Sequence, residues 1–123
     1  MATLSTAARD AACNAVVDLI DAGAAAGTLV FRTSGDVEVA TLTFSDPAFG
    51  ASSTGVATAS AITSDTSATG GTTTKATLQD SNATIVITAT VGTSGTDIII
   101  SNTVVGAGDT VSVSSLTVTM PAS

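Results

Sequence analysis

Ten carboxylates, three basic side chains and one thiol make up the ionisable side chains of this chain, which has no histidine, tryptophan or tyrosine. Without imidazole there is no proton shuttle near neutral pH and no nitrogen ligand for zinc. Ser-His-Asp, Cys-His and zinc constellations are therefore excluded. Cys13 has no base to activate it and reads as a small apolar helix residue, and one cysteine cannot close an internal disulfide, which fits the cytosol better than an oxidising compartment. Asp36, Glu38, Asp97 and Asp109 are hard oxygen donors suited to calcium. Their spacing matches neither an EF-hand nor a nonapeptide repeat, and aspartate beside glycine suits turns without any ion. A carboxylate pair for glycoside hydrolysis would lack aromatic sugar platforms, since only Phe31, Phe44 and Phe49 are present. The glycines of Gly92-Thr93-Ser94-Gly95 and Gly106-Ala107-Gly108 have no phosphate-loop lysine and read as turns. Asn82-Ala83-Thr84 matches a glycosylation sequon, but nothing before it resembles a secretory leader. The expectation is a protein without catalytic residues, metal or cofactor.

The charge balance narrows the partners. A net charge of −7 with only Arg9, Arg32 and Lys75 positive is wrong for a surface that tracks phosphates, so nucleic acid is not an expected partner. No apolar run reaches membrane-spanning length, which leaves the membrane out as well. The Ala-rich opening lacks a basic leader and carries Asp10, Asp18 and Asp21, unlike a signal peptide. The reading is a soluble, unprocessed chain made in the cytosol.

These residues need elements to position them, and 123 residues are enough for one domain with one modest core. Residues 5–22 read as a helix, with Ser5 or Thr6 as N-cap and Gly23 as a left-handed C-cap. At 100° per residue Asp10, Asn14, Asp18 and Asp21 form one stripe, and Ala8, Ala12, Ala15, Val16 and Leu19, with Ile20 beside them, form the opposite arc. That arc is the expected buried face.

From residue 27 the period changes to two. Leu29 and Phe31 alternate with Thr28 and Val30, and Ala40, Leu42 and Phe44 alternate with Thr41 and Thr43. A turn at Ser34-Gly35-Asp36 joins them as a hairpin. Val37 and Val39 have the wrong parity, which requires a bulge or a strand apolar on both faces. Ser45-Asp46-Pro47-Ala48-Phe49-Gly50 interrupts the pattern. Residues 51–71 are nearly pure Ala, Ser, Thr and Gly, expected as a low-complexity surface excursion anchored by Val56 and Ile62, with one weak strand near residues 55–62. A second hairpin joins residues 72–79 to 83–91 through Asp80-Ser81-Asn82, with Ile85, Ile87, Ala89 and Val91 inward and Thr77 outward. Residues 97–100 follow as a short buried strand. Residues 110–120 form a last long strand whose parity switches across Ser114-Ser115. The fold class is mainly β: an antiparallel β-sandwich or sandwich-like barrel over residues 27–120 with one N-terminal α-helix, in a single domain of residues 1–123.

Two places suggest contact with a partner. The Ala-lined helix arc, including Ala8 and Ala12, either packs on the chain's own sheet or serves a neighbour. Phe49, beside Pro47, either plugs the end of the sandwich or inserts into a partner.

Residues 6–23, Gly27-Thr28-Leu29, and above all the stretch Leu42-Thr43-Phe44-Ser45-Asp46-Pro47-Ala48-Phe49-Gly50 resemble small virion structural proteins of tailed bacteriophages. The segments Gly95-Thr96-Asp97-Ile98, Gly106-Ala107-Gly108-Asp109-Thr110-Val111 and Thr117-Val118-Thr119-Met120-Pro121 are similar to the same group. The resemblance implies a capsid decoration, or cement, protein on the outer head surface. It also implies the major capsid protein and neighbouring copies as partners and the virion as its location; neither the sequence nor the resemblance fixes the symmetry of the copies, for which a trimer is the favoured expectation. A tail- or fibre-associated β module contacting other virion proteins or the host surface is the alternative, for which Thr-rich loops and calcium carboxylates would be the cue.

Overall fold

The computed structural model describes residues 2–100, 102–113 and 116–120. One helix, α1 (Thr6–Asp18), tightens into a 3₁₀ turn at Leu19–Asp21. Among the described residues nine strands follow: β1 (Thr28–Arg32), β2 (Glu38–Thr43), β3 (Val56–Thr58), β4 (Gly71–Thr72), β5 (Lys75–Gln79), β6 (Ile85–Gly92), β7 (Ile98–Ile99), β8 (Val104–Val105) and β9 (Thr117–Thr119). The fold is mainly β and sandwich-like. A five-stranded sheet in the order β2-β1-β5-β6-β7 is accompanied by the pairs β3-β9 and β4-β8, and α1 packs against β3 and β9.

Ser5 caps the helix by accepting the Ala8 amide at 3.1 Å, as Ncap hydroxyls do. The expected left-handed cap at Gly23 is absent: Ala22 stays right-handed, with φ −69°, and Gly23 has no positive φ. Gly23 is small for a different reason, since a Cβ there would overlap the Ser81 side chain.

Both hairpins form as their alternation requires. In β1-β2 the register runs from Thr28↔Thr43 to Phe31↔Ala40, then slips to Arg32↔Glu38. The extra residue in β2 is Val39, so a bulge explains its parity, and Val39 and Ala40 are both buried. In β5-β6 a second slip falls between Leu78 and Gln79. It shifts Ile85 off the inward parity, leaving that side chain 53% exposed. Thr77 does face away from the core, yet it is buried, because Arg32 Nε donates to its Oγ1 and its hydroxyl donates to Gln79 Oε1. β7 departs from the antiparallel pattern by running parallel to β6, and Ile99 in it is exposed.

Residues 51–71 are more ordered in their pairing than their composition suggests. Phe49 bridges Ala59, and Ser53 bridges Val56, which makes residues 48–60 a hairpin with Thr54 and Gly55, both at positive φ, at its tip. Two positive-φ central residues fit the right-handed twist of the flanking strands. Beyond it, Thr63 bridges Thr43, and Asp65 bridges Val111. Residues 63–70 thereby cover the outer edge of β2, where Gly70 N also donates to Val39 O and Thr41 N to the Asp65 carboxylate. The anchors are Ala57 and Ala68, both buried, whereas Val56 and Ile62 are only half-buried. Close strand approach favours the smaller side chain.

The expected last strand is divided between the Asp65↔Val111 bridge and β9, which pairs with β3; the parity switch assigned to Ser114-Ser115 lies outside the described residues. Leu29, Phe31, Leu42 and Leu78 from the main sheet meet Cys13, Val17 and Ile20 from the helical segment in one core cluster.

Candidate functional site

The helix is rotated relative to the expected orientation. Cys13, Val17 and Ile20 are its buried residues, and much of the carboxylate stripe faces inward with them. Asp10 Oδ1 accepts the Gly55 amide at 2.8 Å and the Ser52 hydroxyl at 2.9 Å. Asn14 Oδ1 accepts the Ser52 amide at 2.9 Å, and Asp21 Oδ1 accepts the Ala48 amide at 3.0 Å. Three helix-side acceptors thus hold the backbone of the 48–60 hairpin. Magnitudes explain the rotation: burying one more methyl is worth about 0.8 kcal/mol, whereas a buried amide left without an acceptor costs about 1–3 kcal/mol.

The opposite face is left to solvent. Ala7, Ala11 and Ala15 are exposed, and Leu4 and Leu19 are 46% and 54% exposed. The expected burial of Ala15 and Leu19 is therefore corrected. Ala8 and Ala12 are half-buried at the margin of this outward apolar face. The four-residue spacing of Ala7, Ala11, Ala15 and Leu19 was present in the sequence, but it says only that they share a face.

The 45–50 turn resolves differently. Pro47 follows a cis peptide bond and is exposed, and the Ser45 hydroxyl donates to its carbonyl at 2.9 Å. Phe49 is 6% exposed, and its ring centroid lies 5.7 Å from that of Phe44 at a 45° tilt. Its place among partner-contact candidates is therefore corrected: pairing with Ala59 turns the ring into the core.

The remaining chemistry-bearing groups are tied into local structure. Cys13 is buried, with its thiol donating to the Val118 carbonyl at 3.4 Å. Glu38 accepts the Thr41 and Thr69 hydroxyls, Asp97 accepts the Thr90 amide, and Asp109 accepts the Gly106 amide. Among the described residues no group of three or more His, Cys, Asp or Glu is placed to hold a metal ion, and no helix is long and apolar enough to cross a membrane.

All three basic side chains are engaged internally. Lys75 Nζ is 2.7 Å from Asp36, whose carboxyl is held below the usual aspartate range by that contact. Arg9 donates to the Met120 carbonyl. Arg32 donates to Thr77, Gln79 and the Asp36 carbonyl. The exposed charge is consequently dominated by carboxylates, broken by the apolar face of α1. Comparison of the chain with protein-family models, with curated proteins and with solved structures finds no match to any of them.

Proposed function

We propose that this chain is a non-enzymatic structural protein of a tailed-bacteriophage virion, a decoration protein that binds the major capsid protein on the outer surface of the head. The observation that carries this reading is the outward apolar face along α1, running from Leu4 through Ala7, Ala11 and Ala15 to Leu19, on a chain of net charge −7. A contiguous apolar face left in water is the kind of surface that a neighbouring protein covers. The resemblance of residues 42–50 to phage virion proteins supplies the setting. Many weak contacts of this kind, repeated over adjacent capsomers and between copies of the chain, bind a lattice through multivalency. The acidic remainder disfavours nucleic acid and keeps particles apart.

The test is to purify tail-free heads and count copies of this chain by quantitative mass spectrometry. Hundreds of copies per head are expected. Absence from heads, or a handful of copies confined to tails or fibres, overturns the decoration reading.

A further inference from the structure

Among the described residues the curled sheet is not closed. Starting from β7, its strands run β6, β5, β1, β2, then residues 63–65, then Val111, with β9 paired to β3 beyond it. Among the described residues no ladder joins β9 to β7, and a gap lies between them. Two adjoining hollows of about 600 and 410 Å³ occupy it, sharing Asp97, Ile98, Leu116 and Thr117 in their walls.

Both lips present backbone edges. Gly92 pairs with Ile99 in parallel register, and Ile100 N donates to Gly92 O. That geometry turns the Ile99 N–H and C=O away from β6. On the other lip, Ala59 N donates to Leu116 O and Met120 N to Gly55 O. These bonds commit alternate residues to β3 and turn the Thr117 and Thr119 backbone groups outward. Among the described residues no backbone bond crosses the gap. Ile87, Ile98 and Leu116 line its floor and walls.

We infer that this open seam is a docking groove for one extended segment of another protein, which enters as the missing strand and carries alternating apolar side chains with a basic residue beside them. The backbone edges supply a ladder on each side, and the apolar walls supply pockets for alternate side chains. Charge selects the occupant. Asp97 and Asp109 line the groove and are exposed, and among the described residues their carboxylates accept only from Thr90 and Gly106. A second copy of this chain is a poor occupant, because Arg9, Arg32 and Lys75 are all engaged within their own fold. The inference does not depend on the virion reading.

The experiment uses the full chain, isotope-labelled, with a blocked heptapeptide of alternating valine and threonine bearing lysine at both ends. A control peptide carries glutamate in place of lysine. Amide exchange at Ile99, Thr117 and Thr119 is expected to slow by about tenfold or more with the lysine peptide only, since exchange follows local opening. The double variant Asp97→Asn, Asp109→Asn and, separately, Ile99→Lys are expected to weaken that peptide by about tenfold each. Ile99 is 64% exposed, so its variant leaves the fold intact. No binding, equal binding of both peptides, or protection elsewhere overturns the inference. Protection of the same three amides by raising protein concentration alone overturns it in favour of a second copy.

Discussion

The Asp10 carboxylate accepts the Gly55 amide at 2.8 Å, fastening the first turns of α1 to the tip of the hairpin at residues 48–60. Thr54 and Gly55 hold positive φ at that tip, so the turn is conformationally demanding and the helix stabilises it from outside. The same carboxylate takes the Ser52 hydroxyl. Helix orientation and hairpin geometry are therefore one feature, and it bears on stability as well as on which helix face reaches solvent.

Acid should release this clasp. The Gly55 amide, then the Ser52 hydroxyl, lower the Asp10 pKa, with a smaller contribution from Arg9 and against partial desolvation. A folded pKa below the unfolded value of about 3.9 gives stability that is complete above that pH and is lost as pH falls through the folded pKa. Denaturant midpoints are expected to stay level from neutral pH to about 5 and then fall below about 4. Asp10→Asn should lower the midpoint at neutral pH and flatten the acid limb. Parallel acid limbs in the two proteins would refute the clasp.

Phe49→Ala removes a buried ring tilted against that of Phe44. A loss of about 3 kcal/mol is expected in equilibrium unfolding, as for core phenylalanines. Below the unfolding transition, capsid occupancy per folded molecule should be unchanged. Reduced occupancy with an unaltered midpoint would return Phe49 to the contact surface.

Two glycines offer a controlled pair. A Cβ on Gly27 would run into the Gln79 carbonyl and the Ile20 side chain, whereas on Gly35 its nearest neighbour is Thr33 Oγ1 at 3.8 Å. Gly27→Ala should cost about 2 kcal/mol or more through overpacking against backbone. Gly35→Ala should stay within about 0.5 kcal/mol, as surface substitutions usually do. Thermal unfolding of both variants checks the difference.

The outward face of α1 is the surface the proposed function depends on. Ala11→Glu and Ala15→Glu place charge there without touching Cys13, Val17 or Ile20. Stability is expected within about 0.5 kcal/mol of the parent, while occupancy on purified heads falls at least about tenfold. Full occupancy by the double variant would show that the capsid contact lies elsewhere.

By itself, the sequence determined the elements that rest on local pattern. Period-two alternation and turn residues placed the two hairpins, and the apolar spacing with Ser5 in front placed the helix. The absence of histidine excluded imidazole chemistry. Only the tertiary structure decided the phase of the helix, because an inward Asp10 or Asn14 is sensible only once the hairpin amides they accept are beside them. Tertiary contact also folded residues 51–71 into pairing partners. There the bonding is between backbone groups that every residue carries, and alanine, serine and threonine give no alternation to reveal it. The fate of Phe49 and the open seam between β7 and β9 were decided in the same way. Each depends on which distant strand arrives alongside, and that relationship is settled by closure of the whole sheet and not by neighbours in the chain.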